Sequence, residues 1–250
     1  MTDLCSLDID GAIATLTLNR PEQRNALSLE LIECMRAKVR EIRDRNDLRV
    51  VVVSGQGRAF CAGMDLKQVL AGKDLPLRLL ESLARLTLEI RSLPMIVVAS
   101  VNGAAIGGGC GLVCVCDIAL THDEARLGFP EVDLGLCPAV VAPWVVQRIG
   151  PARARSVLLQ GGLMSGSDAA RINLVGESVP TREDLEAATV ETADRLAQGG
   201  REAIRATKSL LNRFEEHISE EILLEGAALS AHVLAQPEAQ QALRARYERA

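Results

Sequence analysis

Two stretches, "RVVVVSG" (49–55) and "MIVVASV" (95–101), are apolar at nearly every position instead of at alternate ones. A strand with one wet face alternates, so an unbroken β-branched run demands cover on both faces. The chain must therefore build a sheet with layers packed on either side. Helical patterns separate the runs. Leu29, Ile32, Met35, Val39 and Ile42 recur at helical spacing behind a capping Ser28, and a second pattern fills residues 75–92 before Pro94 stops it.

Around these runs, "LCSLDIDGAIATLTLNRP" reads as two strands joined at Asp10-Gly11, a strong hairpin signal, and 117–121 as a further short strand. "PAVVAPWVVQRIG" and "PARARSVLLQGG" read as helices punctuated by Pro and Gly. From Thr181 strand signals vanish and three helical patterns follow, each with a polar start. The expected organisation is an α/β core over 1–180 and a C-terminal helical region over 181–250 that packs on the core or on a neighbouring subunit.

Composition narrows the function. A formal net charge of −5 with dispersed Lys and Arg, and an aromatic content of 2%, argue against nucleic acid or an anionic membrane surface as partner. No apolar run approaches the 18 or so residues of a membrane helix, and the N-terminus lacks a basic-then-apolar signal, so a cytoplasmic protein is expected. The seven cysteines are irregularly spaced and read as small buried hydrophobes, not as a disulfide framework or a metal site. The three histidines accompany no G-x-S-x-G elbow, which leaves a Ser-His-Asp hydrolase unsupported.

Each buried run ends in a small-residue junction: "SGQGRAFCAGMDL" after the first and "NGAAIGGGCGL" after the second. The ends of such strands are where α/β proteins bind ligands. Gly107, Gly108 and Gly109 open a helix, where free N–H groups favour negative charge and absent Cβ atoms permit close approach. Neither G-x-G-x-x-G nor a Gly-Lys-Ser/Thr ending is present, so an oxyanion site and plain tight packing are the two readings of the run.

Four blocks, "LNRPEQRNALS" (18–28), "GRAFCAGMDL" (57–66), "NGAAIGGGCGLVCVCDIAL" (102–120) and "ARLGFPEVDLGLCP" (125–138), stand in an order that resembles the crotonase, or enoyl-CoA hydratase/isomerase, superfamily. "GCGLVCVCDIAL" and "LGLCPAVVAPWVV" look like its bacterial methylglutaconyl-CoA hydratase branch. The resemblance implies a spiral of ββα units with a C-terminal helical region, homotrimers or homohexamers, and an acyl-CoA thioester substrate. It implies no metal or redox cofactor, coenzyme A being part of the substrate.

By motif position the resemblance places an oxyanion hole at the backbone N–H groups of Met64 and Gly108. Fixed donors aimed at a developing oxyanion stabilise the transition state more than the ground state, each by about 3 to 4 kcal/mol. Arg24, Ala26, Ala62, Asp65 and Leu66 match positions that hold coenzyme A, although Arg24 reads equally as a solvated surface arginine. Hydratases of the family commonly carry two glutamates. This chain keeps one, Glu131, while the other position is Gly111.

Flanked by Phe129, Pro130 and Val132, Glu131 is expected to be partly desolvated with a raised pKa. Asp133 lies one strand repeat away and matches no family acid, and Asp117 reads as a structural residue. Three readings are open. A single-glutamate hydratase acting on a short or branched 2-enoyl-CoA is favoured by the branch resemblance. A double-bond isomerase needs only one base. A catalytically reduced acyl-CoA-binding scaffold leaves the retained acid without a purpose.

Overall fold

The computed structural model describes residues 3–70, 72, 74–214 and 217–247. β1 (Cys5–Asp10) and β2 (Ile13–Leu18) form the expected antiparallel hairpin, followed by α1 (Leu29–Arg43). Next come β3 (Val50–Gly55), β4 (Ala59–Cys61), α2 (Leu66–Leu70) and α3 (Leu75–Arg91), then β5 (Ile96–Val101), β6 (Ala104–Ile106) and α4 (Gly108–Val115). A further turn contains β7 (Ile118–His122), β8 (Arg126–Gly128), α5 (Ala142–Ile149) and α6 (Pro151–Gln160). β9 (Leu163–Ser165), α7 (Gly166–Arg171) and β10 (Glu177–Val179) close the sheets. The C-terminal helices are α8 (Arg182–Ala197), α9 (Arg201–Arg213), α10 (Glu220–Leu234) and α11 (Pro237–Tyr247); residues 248–250 lie outside the described residues.

From the second turn onward the repeat is strand, strand, helix, and the two strands part company. The first joins a six-stranded sheet, β1-β2-β3-β5-β7-β10, which is parallel from β2 onward. The second joins a four-stranded sheet, β4-β6-β8-β9. That smaller sheet begins inside the first small-residue junction, where no strand was expected. Its strands are three residues each, too short to show any period, and pairing with one another is what makes them strands.

Cover on both faces of the buried runs is found. Val51, Val53, Val97 and Ala99 face the main core, while Val50, Val52 and Val98 lie with Leu120 beneath Leu185 and Ala193 of α8. Each such side chain contributes about 1.5 to 3 kcal/mol when withdrawn from water. The C-terminal region thus begins with the helix that covers the outer face of the sheet.

Polar locks hold the junctions. Asn25 is fully buried at φ 56°; its Oδ1 accepts from the Arg20 N–H (2.9 Å), and its Nδ2 donates to Gln56 O (3.0 Å) and Ala59 O (2.8 Å). Asn102 Nδ2 donates to Gly55 O (2.7 Å) and Gly57 O (3.0 Å), tying the ends of β3 and β5 together. Asn25→Ala strands these buried groups and sets a Cβ-branching-free but still L-residue in the left-handed region, so it is expected to cost about 3 kcal/mol. A shifted urea midpoint at unchanged m-value measures the loss.

Asp117 has the structural place expected of it. It accepts from the Val97 N–H (2.7 Å) and from Lys208 Nζ (2.7 Å), and pairs with Arg91 (3.2 Å). Burial pulls the Lys208 pKa down and the Asp117 carboxylate opposes it. One cysteine pair departs from expectation: Cys5 of β1 and Cys34 of α1 form a disulfide, with Cα atoms 6.3 Å apart. Cys61, Cys110, Cys114, Cys116 and Cys137 are free, the first four of them buried.

Candidate active site

The glycine run opens α4. Gly111 N–H donates to Gly107 O (2.8 Å), the first helical bond, so the N–H groups of Gly108, Gly109 and Cys110 precede any helical acceptor. Across from it, Leu27 N–H donates to Gly63 O (2.7 Å) and Asp65 N–H to Leu27 O (3.0 Å). These two bonds bracket Met64 and use neither its N–H nor its side chain. The two segments adjoin, since a Cβ on Gly63 would stand 3.9 Å from the Gly108 nitrogen. Met64, Gly108 and Glu131 line one cavity, with Leu83, Val140, Val141 and Leu234 among its apolar walls.

Glu131 follows β8 and starts a short 3-10 turn, Val132–Leu134. The residue as a whole is half-buried, but its Oε2 is enclosed and finds no hydrogen-bond partner among the described residues. Burial, with a smaller contribution from Asp133, pushes the carboxyl from its ordinary 4.5 up to about 7. A carboxyl poised there takes and returns a proton near neutral pH with little driving force lost. The 3-10 turn also corrects the strand-like placement of Asp133, whose Oδ2 accepts from the Gly162 N–H (2.9 Å).

The glycines have separate physical reasons. Gly107 has φ 54°, and a Cβ there would meet Glu131 Oε1 at 2.6 Å, so the bare position is what lets the carboxyl lie against α4. A Cβ on Gly109 would run into the Cys61 carbonyl, which is packing and nothing more. At Gly111 a Cβ would overlap Val141 Cγ1 and stand 2.8 Å from Val141 Cβ. The place of a second acid is therefore filled by Val141, not left open.

The five positions matched to coenzyme A lie in two strips that flank this site but do not line the cavity. Arg24 is exposed, and its carbonyl accepts from the Ala62 N–H (3.0 Å). Arg20 Nη1 donates to Ala26 O (2.6 Å) and its Nη2 to Asp65 Oδ2 (3.1 Å). Asp65 also accepts from the Lys67 and Gln68 N–H groups (3.1 and 3.4 Å), at the start of α2. Leu66 packs in a small cluster with Val69, Leu234 and Leu243, which joins α2 to the C-terminal helices. Arg20, Asn25 and Val141 are the residues that sequence reasoning missed. Arg20 differs in no visible way from Arg24 along the chain, and the importance of Val141 exists only opposite Gly111.

A family model described as enoyl-CoA hydratase/isomerase matches residues 8–249. The chain belongs to the enoyl-CoA hydratase/isomerase family. The enoyl-CoA hydratase domain-containing protein 3 of Danio rerio, a mitochondrial protein, is 33% identical over 81% of this chain and 70% of its own length. Among solved structures, Pseudomonas aeruginosa AtuE is 34% identical with a TM-score of 0.81, covering 98% of this chain and 97% of its own. An enoyl-CoA hydratase/isomerase from Mycobacterium paratuberculosis is 26% identical with a TM-score of 0.88, covering 98% and 99%. The fold is the crotonase spiral of ββα units, and the protein is an enzyme of the hydratase/isomerase family.

Proposed function

We propose that this enzyme hydrates a short or branched 2-enoyl-CoA, with Glu131 as its single acid-base group and the N–H groups of Met64 and Gly108 as its oxyanion hole. The observation that carries this reading is the enclosed Glu131 carboxyl, short of a partner and raised to about 7, in one cavity with Met64 and Gly108. Glu131 accepts a proton from water as the water oxygen bonds to C3. The electron pair moves to the thioester oxygen, which accepts from the two N–H groups, and the enolate then takes the proton from Glu131 at C2. Every proton and electron pair is accounted for without a second acid or a cofactor. Arg24, exposed beside the 62–66 strip, suits a phosphate of coenzyme A.

A second reading is favoured by Val141. An apolar wall in place of a second carboxylate suits a double-bond isomerase, in which Glu131 only moves a proton between C2 and C4. Incubation with 2-enoyl- and 3-enoyl-CoA in heavy-oxygen water decides between them. The expected product gains one heavy oxygen at C3; migration of the double bond without label would establish the isomerase. Binding with neither product, across chain lengths, would leave only an acyl-CoA scaffold.

The working form is expected to be a homotrimer or homohexamer. Leu210, Leu211 and Phe214, near the end of α9, are 52%, 52% and 72% exposed, an apolar surface that a second copy would cover. Sedimentation equilibrium should give three or six chain masses, and a monomer at working concentration would refute this.

A further inference from the structure

Only one side chain lining the cavity carries charge near neutral pH among the described residues, and that is Glu131. Ser230, also in the lining, is already committed: its Oγ donates to Cys137 O (2.7 Å) and accepts from the Ala139 N–H (3.2 Å). Burial pushes the Cys137 thiol up, so it stays neutral. Beside the start of α4 the lining is hydrocarbon. Val141 makes it so, because it is buried, stands at the start of α5, and fills the space into which a side chain at position 111 would project.

We propose that Val141 is a specificity-determining residue of the acyl site, and that the site selects an uncharged aliphatic acyl group over one bearing a carboxylate. The proposal rests on the acyl-CoA reading above, names the substrate class within it, and departs from the carboxylate-bearing acyl group that resemblance to the methylglutaconyl-CoA branch implies. A second carboxylate placed in this cavity would lose its water, meet no cation among the lining residues, and stand near the Glu131 carboxylate. An aliphatic acyl group meets a lining that is mostly apolar, Met64, Leu83, Val140, Val141 and Leu234 among it, and loses nothing by leaving water. Selection thus comes from the absence of a cationic side chain among the described lining residues, and Val141 supplies the apolar wall that the acyl chain meets instead.

The test uses saturated thioesters, which bind without reacting and so give an answer whether the enzyme hydrates or isomerises. Calorimetric titration of the full chain with butyryl-CoA and glutaryl-CoA at pH 8 should show the first binding tighter by on the order of 100-fold. Val141→Ala, which shortens the wall without adding charge, should move the preferred acyl group from butyryl towards hexanoyl by about tenfold in relative affinity and leave glutaryl-CoA disfavoured. Equal affinity for butyryl- and glutaryl-CoA would overturn the inference while leaving the acyl-CoA reading standing. An unchanged chain-length preference in Val141→Ala would remove Val141 from the role. Failure of both thioesters to bind would overturn the acyl-CoA reading and the inference with it.

Discussion

Glu131→Gln is expected to lower kcat by about a thousandfold and, at the same time, to make the protein more stable above pH 7. In the proposed mechanism the loss of rate follows from removing the group that takes and returns the proton, a role worth about 10² to 10⁴. The gain in stability follows from burial. With the folded carboxyl at about 7 against an ordinary 4.5, the folded state holds its proton over a pH range in which the unfolded chain has released it. Stability contributed by this group is complete below pH 4.5 and is lost as pH rises to about 7, after which the deficit stays constant at about 3 kcal/mol. Glutamine carries no charge and escapes that deficit.

Thermal unfolding of the two proteins from pH 4 to 8 should therefore show curves that coincide in acid and separate towards neutrality, the variant lying higher. Activity runs in the opposite direction. Since the ionised carboxyl is the form that would accept the proton in the proposed mechanism, wild-type kcat/KM should rise through about pH 7 on a single limb assigned to Glu131. A variant with full turnover, or with a melting curve parallel to the wild type at every pH, would show that Glu131 is an ordinary loop glutamate.

Gly111→Ala is expected to destabilise the protein by about 3 kcal/mol, and Val141→Gly to abolish that penalty. The added methyl would overlap a buried, rotamer-limited valine at the start of a helix, where overpacking has little room to relax. In a background that has glycine at 141 the same methyl finds space. The double variant should then be no less stable than Val141→Gly alone, with a coupling of about 3 kcal/mol from the four urea midpoints. Additive penalties would mean that position 111 is constrained by something other than Val141. The same interlock explains why Gly111→Glu alone is not expected to recreate a second acid: the carboxylate needs the volume that Val141 holds.

Much of the architecture was legible along the chain because its signals are local. The Val-rich runs at 50–53 and 96–98 require two-sided cover, Ser28 and Thr181 cap helices where they stand, and Gly11 turns the first hairpin. The four-stranded sheet was not legible. Three-residue strands such as Ala59–Cys61 and Ala104–Ile106 have no period of their own, and only their mutual pairing distinguishes them from loop. The Cys5–Cys34 disulfide escaped for a related reason, since it depends on α1 returning across β1, a separation of 29 residues.

At the site, residue chemistry and residue position divide in the same way. The sequence by itself determined which groups are available: one glutamate in an apolar loop, a helix start stripped of side chains, and no second acid at 111. Motif order also assigned the family. Only the tertiary structure decided what those groups amount to together. It enclosed the Glu131 carboxyl until its pKa rose, brought the segment after Gly63 against the start of α4, and gave three neighbouring glycines unrelated reasons. It also filled the place of the absent acid with Val141, thirty positions away along the chain. Burial and steric exclusion are properties of pairs of atoms distant in sequence, so they come into being only when the chain has folded.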